Sequence, residues 1–85
     1  MFHLQSKSKS TLQAVIAEEL REYRKEHVLS QAQFAQKLQI SVRSYIDLEH
    51  GLFLPSATTV LLFQLQLDDQ QLLCFLSSVE EALRS

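Results

Sequence analysis

The 85-residue chain contains few residues that interrupt helices or cross-link a chain: one glycine, one proline, one cysteine and no tryptophan. The single cysteine, Cys74, excludes an intrachain disulfide. No apolar run approaches the roughly 20 residues that span a bilayer, and residues 1–10 lack the apolar stretch of a signal peptide. We therefore expect a cytoplasmic protein with no membrane partner.

The sequence also lacks the patterns on which most catalytic sites depend. It has no Gly-rich phosphate loop, no cluster at metal-ligand spacing and no paired nucleophile and base. The histidines are scattered, at His3, His27 and His50, and Cys74 has no activating neighbour. A chain of this size would also enclose a catalytic cleft with difficulty. We predict that the protein is not an enzyme and binds no metal or cofactor.

Positive charge is scarce, since the formal net charge is −2. Residues 1–67 hold seven of the eight Lys and Arg residues and six of the ten Asp and Glu residues, so the acidic excess lies in residues 68–85. This distribution is compatible with a local positive patch. Any affinity that depends on phosphate contacts is nevertheless expected to be weak and sensitive to salt.

Apolar residues are abundant, at 46% of the sequence, and suffice for one small core. Few β-branched runs occur, which favours helices joined by short connections. The first predicted helix extends from Thr11 to Glu26 or His27. Its apolar residues recur at helical spacing and give one buried stripe: Leu12, Val15, Ile16, Leu20 and Tyr23.

Residues 29–51 are the most informative segment, because they predict two short helices joined by a tight turn. Ser30 and Ser41 are placed to cap these helices, each accepting a hydrogen bond from an otherwise unpaired backbone N–H. Gly51 is placed to end the second helix. The predicted inward-facing residues are Phe34, Ala35 and Leu38 in the first helix and Tyr45, Leu48 and Glu49 in the second.

The segment resembles the helix-turn-helix of the phage-repressor/Cro (XRE-type) family, whose pattern is roughly L-S-Q-x-x-L-A-x-x-L-G-V-S-x-x-x-I-x-x-(I/L)-E-x-G-x-x-x-P. Phe34, Ile40 and Tyr45 are apolar equivalents of family residues, and the likeness covers about residues 11–67. The resemblance implies an all-α fold, a compact five-helix bundle, and sequence-specific binding to double-stranded DNA. The identical positions are Leu29, Ser30, Gln31, Ala35, Leu38, Ser41, Leu48, Glu49, Gly51 and Pro55.

The resemblance also implies roles for single residues outside the recognition helix. Arg24 and Glu49 match positions that form a partly buried ion pair in these repressors, whereas periodicity alone would make Arg24 an ordinary solvated residue. A bidentate contact between them would lock the first helix to the recognition helix. Gln31 matches a position that contacts a phosphate or an adjacent base.

In a helix-turn-helix, the N-terminal half of the second helix faces the base edges. Arg43 is the strongest candidate for base recognition, because a guanidinium can bind O6 and N7 of guanine; a solvated surface arginine is the alternative. Val42 is placed to contact a thymine methyl, and Ser41 and Ser44 to donate to phosphates. Asp47 either accepts from N4 of cytosine or repels phosphate. Periodicity directs four residues away from the core: Val42, Arg43, Ile46 and Asp47.

The sequence departs from the family pattern at two glycines and one loop. Gln39 replaces the glycine of the turn, and Val28 replaces the glycine before the L-S-Q motif. If these positions keep a positive φ, each costs about 1 kcal/mol, and β-branched Val28 more. Leu52, Phe53 and Leu54 follow Gly51, where relatives often carry Lys or Arg. Apolar residues there indicate either a surface for a protein partner or a loop folded onto the chain's own core.

Two further helices are predicted beyond the helix-turn-helix. The fourth follows the cap Ser56 and ends near Leu67, and the fifth starts at Asp68 and Asp69, where carboxylates favour the positive end of the helix dipole. The fifth helix carries an apolar stripe: Leu72, Phe75, Leu76, Val79 and Leu83.

This stripe can pack against the first helix of the same subunit or form a two-fold contact, and we favour the contact of a homodimer. The chain then divides into a flexible arm over residues 1–10, a helix-turn-helix domain over 11–67, and a C-terminal dimerisation helix over 68–85. The arm is either a disordered terminus or an element whose Lys7 and Lys9 reach DNA phosphates.

The leading hypothesis is a sequence-specific DNA-binding transcription regulator, a repressor that binds a palindromic operator as a dimer. The alternative is a protein-interaction module on the same fold, such as an antitoxin, antirepressor or adaptor. Arg43 and Gln31 favour the first hypothesis. The acidic C-terminal segment and the apolar loop at Leu52, Phe53 and Leu54 favour the second.

Overall fold

The structure, a computed structural model, describes residues 6–84, with side chains described from residue 8 onward. Within the described residues it contains five α-helices and no strand, which confirms the predicted all-α, five-helix fold. None of these helices is long and apolar enough to cross a membrane. The helices are α1 (Ser6–Glu26), α2 (Gln31–Lys37), α3 (Val42–Glu49), α4 (Ala57–Gln66) and α5 (Asp69–Arg84).

Helix α1 begins at Ser6, one and a half turns before the predicted start at Thr11. Residues 6–10, which the sequence placed in a flexible arm, are therefore helical, and residues 1–5 lie outside the described part of the chain. The physical reason is Ser8, which is buried one turn before Leu12 and extends the buried stripe of α1. Because serine is not apolar, the helical spacing of apolar residues gave no sign that this position is buried. Lys9 is exposed on α1, and the side chain of Lys7 lies outside the description.

Aromatic rings connect all five helices through the core. The ring centroid of Phe34 in α2 lies 5.2 Å from that of Tyr23 in α1 and 5.3 Å from that of Tyr45 in α3. Phe63 of α4 meets Phe34 and Phe75 of α5 edge to face, at 6.1 and 5.2 Å. Such pairs add about 0.5–1.5 kcal/mol each beyond the area they bury. The ring contacts therefore join the helix-turn-helix to the two C-terminal helices.

Helix α5 packs along α1, which corrects the prediction that its apolar stripe forms a dimer interface. Phe75 is 3% exposed, and Val79 and Leu83 pack against the same core cluster, so these three residues serve the chain's own core. Leu72 is half-buried, and only Leu76 of the predicted stripe is classed as exposed. Periodicity identifies an apolar face correctly but does not say which neighbour covers it.

Helices α1, α2 and α3 end in the same way, each with a residue in the left-handed conformation. Val28 (φ 53°), Gln39 (φ 58°) and Gly51 (φ 72°) occupy these positions. The N–H that follows each one bonds back to a carbonyl five residues earlier; at the end of α1, Leu29 donates to Arg24 at 2.9 Å. This is the Schellman motif, which normally takes glycine at the left-handed residue. Both replaced glycines therefore keep a positive φ.

Replacing Val28 with glycine should stabilise the protein. The left-handed conformation costs a residue with a Cβ about 1–2 kcal/mol, and more when it is β-branched. Glycine would remove this strain at an entropic cost of about 0.5–1 kcal/mol. Val28 is 87% exposed, so little packing is lost. We expect Val28→Gly to raise the free energy of unfolding in urea by about 1 kcal/mol.

The matched control is Val28→Ala, which retains the Cβ and with it most of the strain. A Val28→Gly variant less stable than both Val28→Ala and the wild type would contradict the assignment of strain to this turn.

Candidate nucleic-acid interface

Three serines cap the helices that surround the predicted interface, as the sequence indicated. Ser30 Oγ accepts from the Gln33 amide at 3.0 Å, and the Gln33 side chain accepts from the Ser30 amide at 2.8 Å. Ser41 Oγ accepts from the Ser44 amide at 3.0 Å, and Ser56 caps α4 in the same manner. These caps fix where α2, α3 and α4 begin.

The faces of α2 and α3 that were predicted to point inward are buried in the core of the helix-turn-helix. All six predicted inward residues are buried, from Phe34 and Tyr45, which have no exposed surface, to Leu48. Five of the six are apolar or aromatic and pack in one cluster. The sixth is the carboxylate Glu49, only 3% exposed, and its burial requires compensation.

Arg24 of α1 supplies the main compensation through a bidentate ion pair with Glu49. Its Nε lies 2.7 Å from Oε2 and its Nη2 lies 3.0 Å from Oε1. Its Nη1 also donates to the Leu29 carbonyl at 3.2 Å, so the same guanidinium holds the connection between α1 and α2. The ion pair that the family resemblance implied is therefore present, with the fork geometry that makes such pairs strong.

Three further donors converge on Glu49. The Tyr45 hydroxyl donates to Oε2 from one turn earlier in α3, and Gln31 Nε2 of α2 donates to Oε1 at 3.2 Å. Arg21 of α1 donates to the backbone carbonyl of Glu49, one of the orphan carbonyls at the end of α3. The roles of Tyr45 and Arg21 were not predicted from the sequence. The only signals were spacings: Tyr45 lies four residues before Glu49, and Arg21 one turn before Arg24.

The pKa shifts of Glu49, Arg24 and Tyr45 all favour a charged Glu49 that accepts hydrogen bonds. Burial acts to raise the pKa of Glu49, but hydrogen bonds from Arg24, Tyr45 and Gln31 outweigh burial and leave the pKa below its usual value. The hydrogen bond to Glu49 raises the pKa of Arg24. Burial and the bond to Glu49 raise the pKa of Tyr45, so its phenol remains a proton donor. Glu49 is therefore a carboxylate at neutral pH.

Gln31, one of the predicted DNA-contacting residues, is half-buried and already forms a hydrogen bond within the protein. Its amide nitrogen donates to Glu49, which leaves its carbonyl oxygen and a second N–H for another partner. Gln31 therefore has a structural role, in the Glu49 cluster, that was not predicted from the sequence. Its contact with DNA remains a prediction.

The other five predicted DNA-contacting residues lie together at the N-terminal end and outer face of α3. The Arg43 side chain is 86% exposed, Val42 and Ser44 are exposed, and Asp47 is partly buried. Ser41 donates its hydroxyl proton to Ser44 Oγ at 2.9 Å, so within this pair Ser44 is the hydroxyl left to donate outward. Arg43 Nε lies 3.7 Å from Asp47 Oδ1. Their contacts with DNA remain predictions.

The apolar loop after α3 was predicted either to fold onto the chain's own core or to form a surface for a protein partner, and its residues differ in this respect. Leu54 packs against the core cluster, whereas Leu52 and Phe53 are exposed. The loop is thus folded onto the core at one end and open at the other. Residues 8–84 contain no group of three or more His, Cys, Asp or Glu side chains that could hold a metal ion.

Two capped helices, a tight turn between them and an exposed polar face on the second define a helix-turn-helix domain, the fold of a class of DNA-binding transcription regulators. Comparison with known protein families matches residues 20–67, more than half of the chain, to the family described as Helix-turn-helix. The chain belongs to this phage-repressor-like (XRE-type) helix-turn-helix family. Comparisons with curated proteins and with solved structures gave no match.

Removal of the Arg24 side chain should destabilise the fold strongly. Arg24→Ala leaves Glu49 buried with only Tyr45 and Gln31 as side-chain partners, and breaking a buried pair in this way costs about 2–4 kcal/mol. The neighbouring exposed Lys25 is the matched control, because Lys25→Ala removes the same charge outside the cluster. We expect its effect on urea unfolding to stay within about 0.5 kcal/mol. Equal stabilities for the two variants would contradict the role given to the ion pair.

Proposed function

We propose that the chain is a sequence-specific DNA-binding transcription regulator that acts as a repressor in the cytoplasm and binds a palindromic operator as a homodimer. The observation that carries the proposal is the outer face of α3. This face presents Val42, Arg43 and Ser44 to solvent while Glu49, at the other end of the same helix, is fixed to α1. A recognition helix must combine exposure with a fixed orientation, because base contacts depend on geometry.

The proposed contacts follow from the chemistry of each exposed group. Arg43 donates to O6 and N7 of a guanine, and Val42 packs against a thymine methyl. Ser44 and the remaining amide hydrogen of Gln31 donate to phosphates, which set the register on the duplex. Ser41 contributes through its position at the start of α3, where unpaired backbone N–H groups favour an anion.

The distribution of acidic residues supports the proposal despite the net charge of −2. Six of the ten acidic residues line two grooves between α1 and the C-terminal part of the chain, and neither groove contains a residue of α2 or α3. The potential near the proposed DNA-binding face is therefore less negative than the net charge suggests. The six residues are Glu18, Glu19, Glu22, Glu26, Asp68 and Glu81.

The homodimer requires a different surface from the stripe first predicted on the fifth helix. An apolar groove of about 240 Å³ lies between α1, α4 and α5, and Val60, Leu76 and Val79 line it. Four exposed leucines lie on α4 and α5, the two helices that line this groove together with α1, and we call them the leucine surface: Leu61, Leu65, Leu73 and Leu76. A contiguous apolar patch on a soluble protein commonly marks an interaction site, and we propose that these leucines form one in the dimer.

The leucine surface is large enough to support association. Its members are 45–79% exposed, and complete burial of one leucine contributes about 1.5–3 kcal/mol. The four would contribute roughly 4–7 kcal/mol per copy, and two copies reach the range of about 4–15 kcal/mol that association costs. The chain measures 33 × 28 × 21 Å. Recognition helices that bind successive major grooves lie about 34 Å apart, one turn of DNA, which is comparable with these dimensions.

A second candidate function is a protein-interaction module on the same fold, such as an antitoxin, antirepressor or adaptor. The exposure of Leu52 and Phe53 immediately after α3 favours it, because apolar side chains there bind no phosphate. A partner on this loop would lie beside the proposed DNA-binding face. The two functions therefore differ in whether α3 selects a DNA sequence.

Selection of genomic DNA fragments by the purified chain distinguishes these functions. The bound fragments are sequenced and then footprinted at low and at moderate salt. We expect enrichment of one inverted-repeat sequence and a footprint that weakens as salt rises. Absence of enrichment at every salt concentration would favour the interaction module.

Loss of Arg43 should weaken recognition without unfolding the protein. Arg43→Ala is expected to cost about 1–3 kcal/mol of binding to the selected site and to relax the preference at one base pair of each half-site. Arg84→Ala is the matched control, because Arg84 is another exposed arginine with a carboxylate partner four residues away. A loss of affinity equal for selected and random duplexes would instead identify Arg43 as a phosphate contact.

The leucine surface predicts a folded monomer when charge is introduced. Leu61→Glu combined with Leu76→Glu should abolish the dimer in sedimentation experiments, retain the helical circular dichroism signal and weaken operator binding. Ser10→Glu adds a similar charge at an exposed position of α1, outside the leucine surface, and serves as the control. A wild-type chain that is monomeric at tens of micromolar would contradict this surface as a stable dimer interface.

A further inference from the structure

Asp47 lies on the recognition helix in a position that the contacts proposed above leave without a role. It follows Arg43 by four residues, so the two side chains occupy the same face of α3 one turn apart. Their closest charged atoms are Arg43 Nε and Asp47 Oδ1, at 3.7 Å. An exposed pair of this type adds little to helix stability. Helix stability therefore gives little reason for a carboxylate at this position of α3.

The two partners differ in how firmly they are held. The Asp47 side chain is 23% exposed and lines a groove together with Ile40, Phe53 and Leu54. The Arg43 side chain is 86% exposed, so its guanidinium is freer to change position. The carboxylate is thus the fixed member of the pair, and the guanidinium is the member that it can orient.

The geometry of the pair decides which donors of Arg43 remain for a ligand. Asp47 attracts the Nε edge of the guanidinium, which leaves the terminal Nη1 and Nη2 groups as a two-donor fork. This fork matches O6 and N7 of guanine. The carboxylate also repels phosphate, so it opposes the competing position in which Arg43 folds onto the DNA backbone.

We propose that Asp47 is a positioning residue that orients Arg43 toward a guanine and thereby determines the base preference at that position of each half-site. This inference rests on the proposed function, because it requires α3 to lie in the major groove. Asp47 acts through Arg43 and makes no base contact of its own. Preorganisation of this kind reduces the side-chain freedom that Arg43 loses on binding.

The test compares full-length variants on three duplexes: the selected site, the same site with the guanine opposite Arg43 replaced by adenine, and a random sequence. Asp47→Asn keeps the size of the side chain but removes its charge. We expect the preference for guanine over adenine to fall by about fivefold or more, out of the total discrimination available to one arginine–guanine contact. Affinity for the random duplex should rise, because one negative charge is lost.

The control is Glu80→Gln, since Glu80 forms the corresponding pair with Arg84 on α5, with Nη2 and Oε1 3.1 Å apart. This variant removes the same charge and should leave the preference for guanine unchanged. The second comparison is the double variant Arg43→Ala with Asp47→Asn, which should show the same preference as Arg43→Ala alone. Unchanged helical circular dichroism in each variant excludes loss of fold as the cause.

Two outcomes would overturn the inference alone. If Asp47→Asn changes the affinity for all three duplexes by one factor, as the control does, Asp47 only repels DNA. If Asp47→Asn still alters the preference when Arg43 is alanine, Asp47 contacts a base directly. A wild-type chain that selects no sequence would overturn the proposed function, and this inference with it.

Discussion

The arrangement of the helix-turn-helix depends on one buried carboxylate. Glu49 accepts from Arg24 of α1, Gln31 of α2 and Tyr45 of α3, while its backbone carbonyl accepts from Arg21 of α1. Apolar packing alone would allow small rotations of one helix against another, since it is not directional. The bidentate ion pair from Arg24 and the donors from Arg21 and Gln31 hold α3 in one orientation against α1 and α2. The polar cluster therefore sets the angle at which α3 is presented.

This constraint connects stability with the proposed recognition of DNA. The residues that fix α3 lie at its C-terminal end and inner face, and those proposed to contact DNA lie at its N-terminal end and outer face. The acidic grooves and the leucine surface involve α1, α4 and α5. Different parts of the chain are therefore proposed to orient α3, to contact DNA and to bind a second copy.

Much of this arrangement could be predicted from the sequence, because local chemistry determines it. Ser30, Ser41 and Ser56 are caps by residue type and position, and the positive φ of Val28 and Gln39 follows from the glycines that the family places there. What could not be predicted depends on tertiary contacts. The apolar period of α5 did not reveal that α1 covers Phe75, and the buried Ser8 carried no apolar signal. The donation from Arg21 to a carbonyl appears only when α1 and α3 are in contact.

Urea unfolding of wild type and Glu49→Gln between neutral and acid pH measures whether Glu49 stabilises the fold as a buried carboxylate. The folded-state pKa of Glu49 is lowered, so its ionised form stabilises the fold fully above the unfolded pKa of about 4.3. That contribution is lost as the pH falls through the lower folded-state pKa. Wild type should be more stable than Glu49→Gln at neutral pH, and the difference in unfolding free energy should narrow as the pH falls. A difference that stays constant with pH would rule out this role for Glu49.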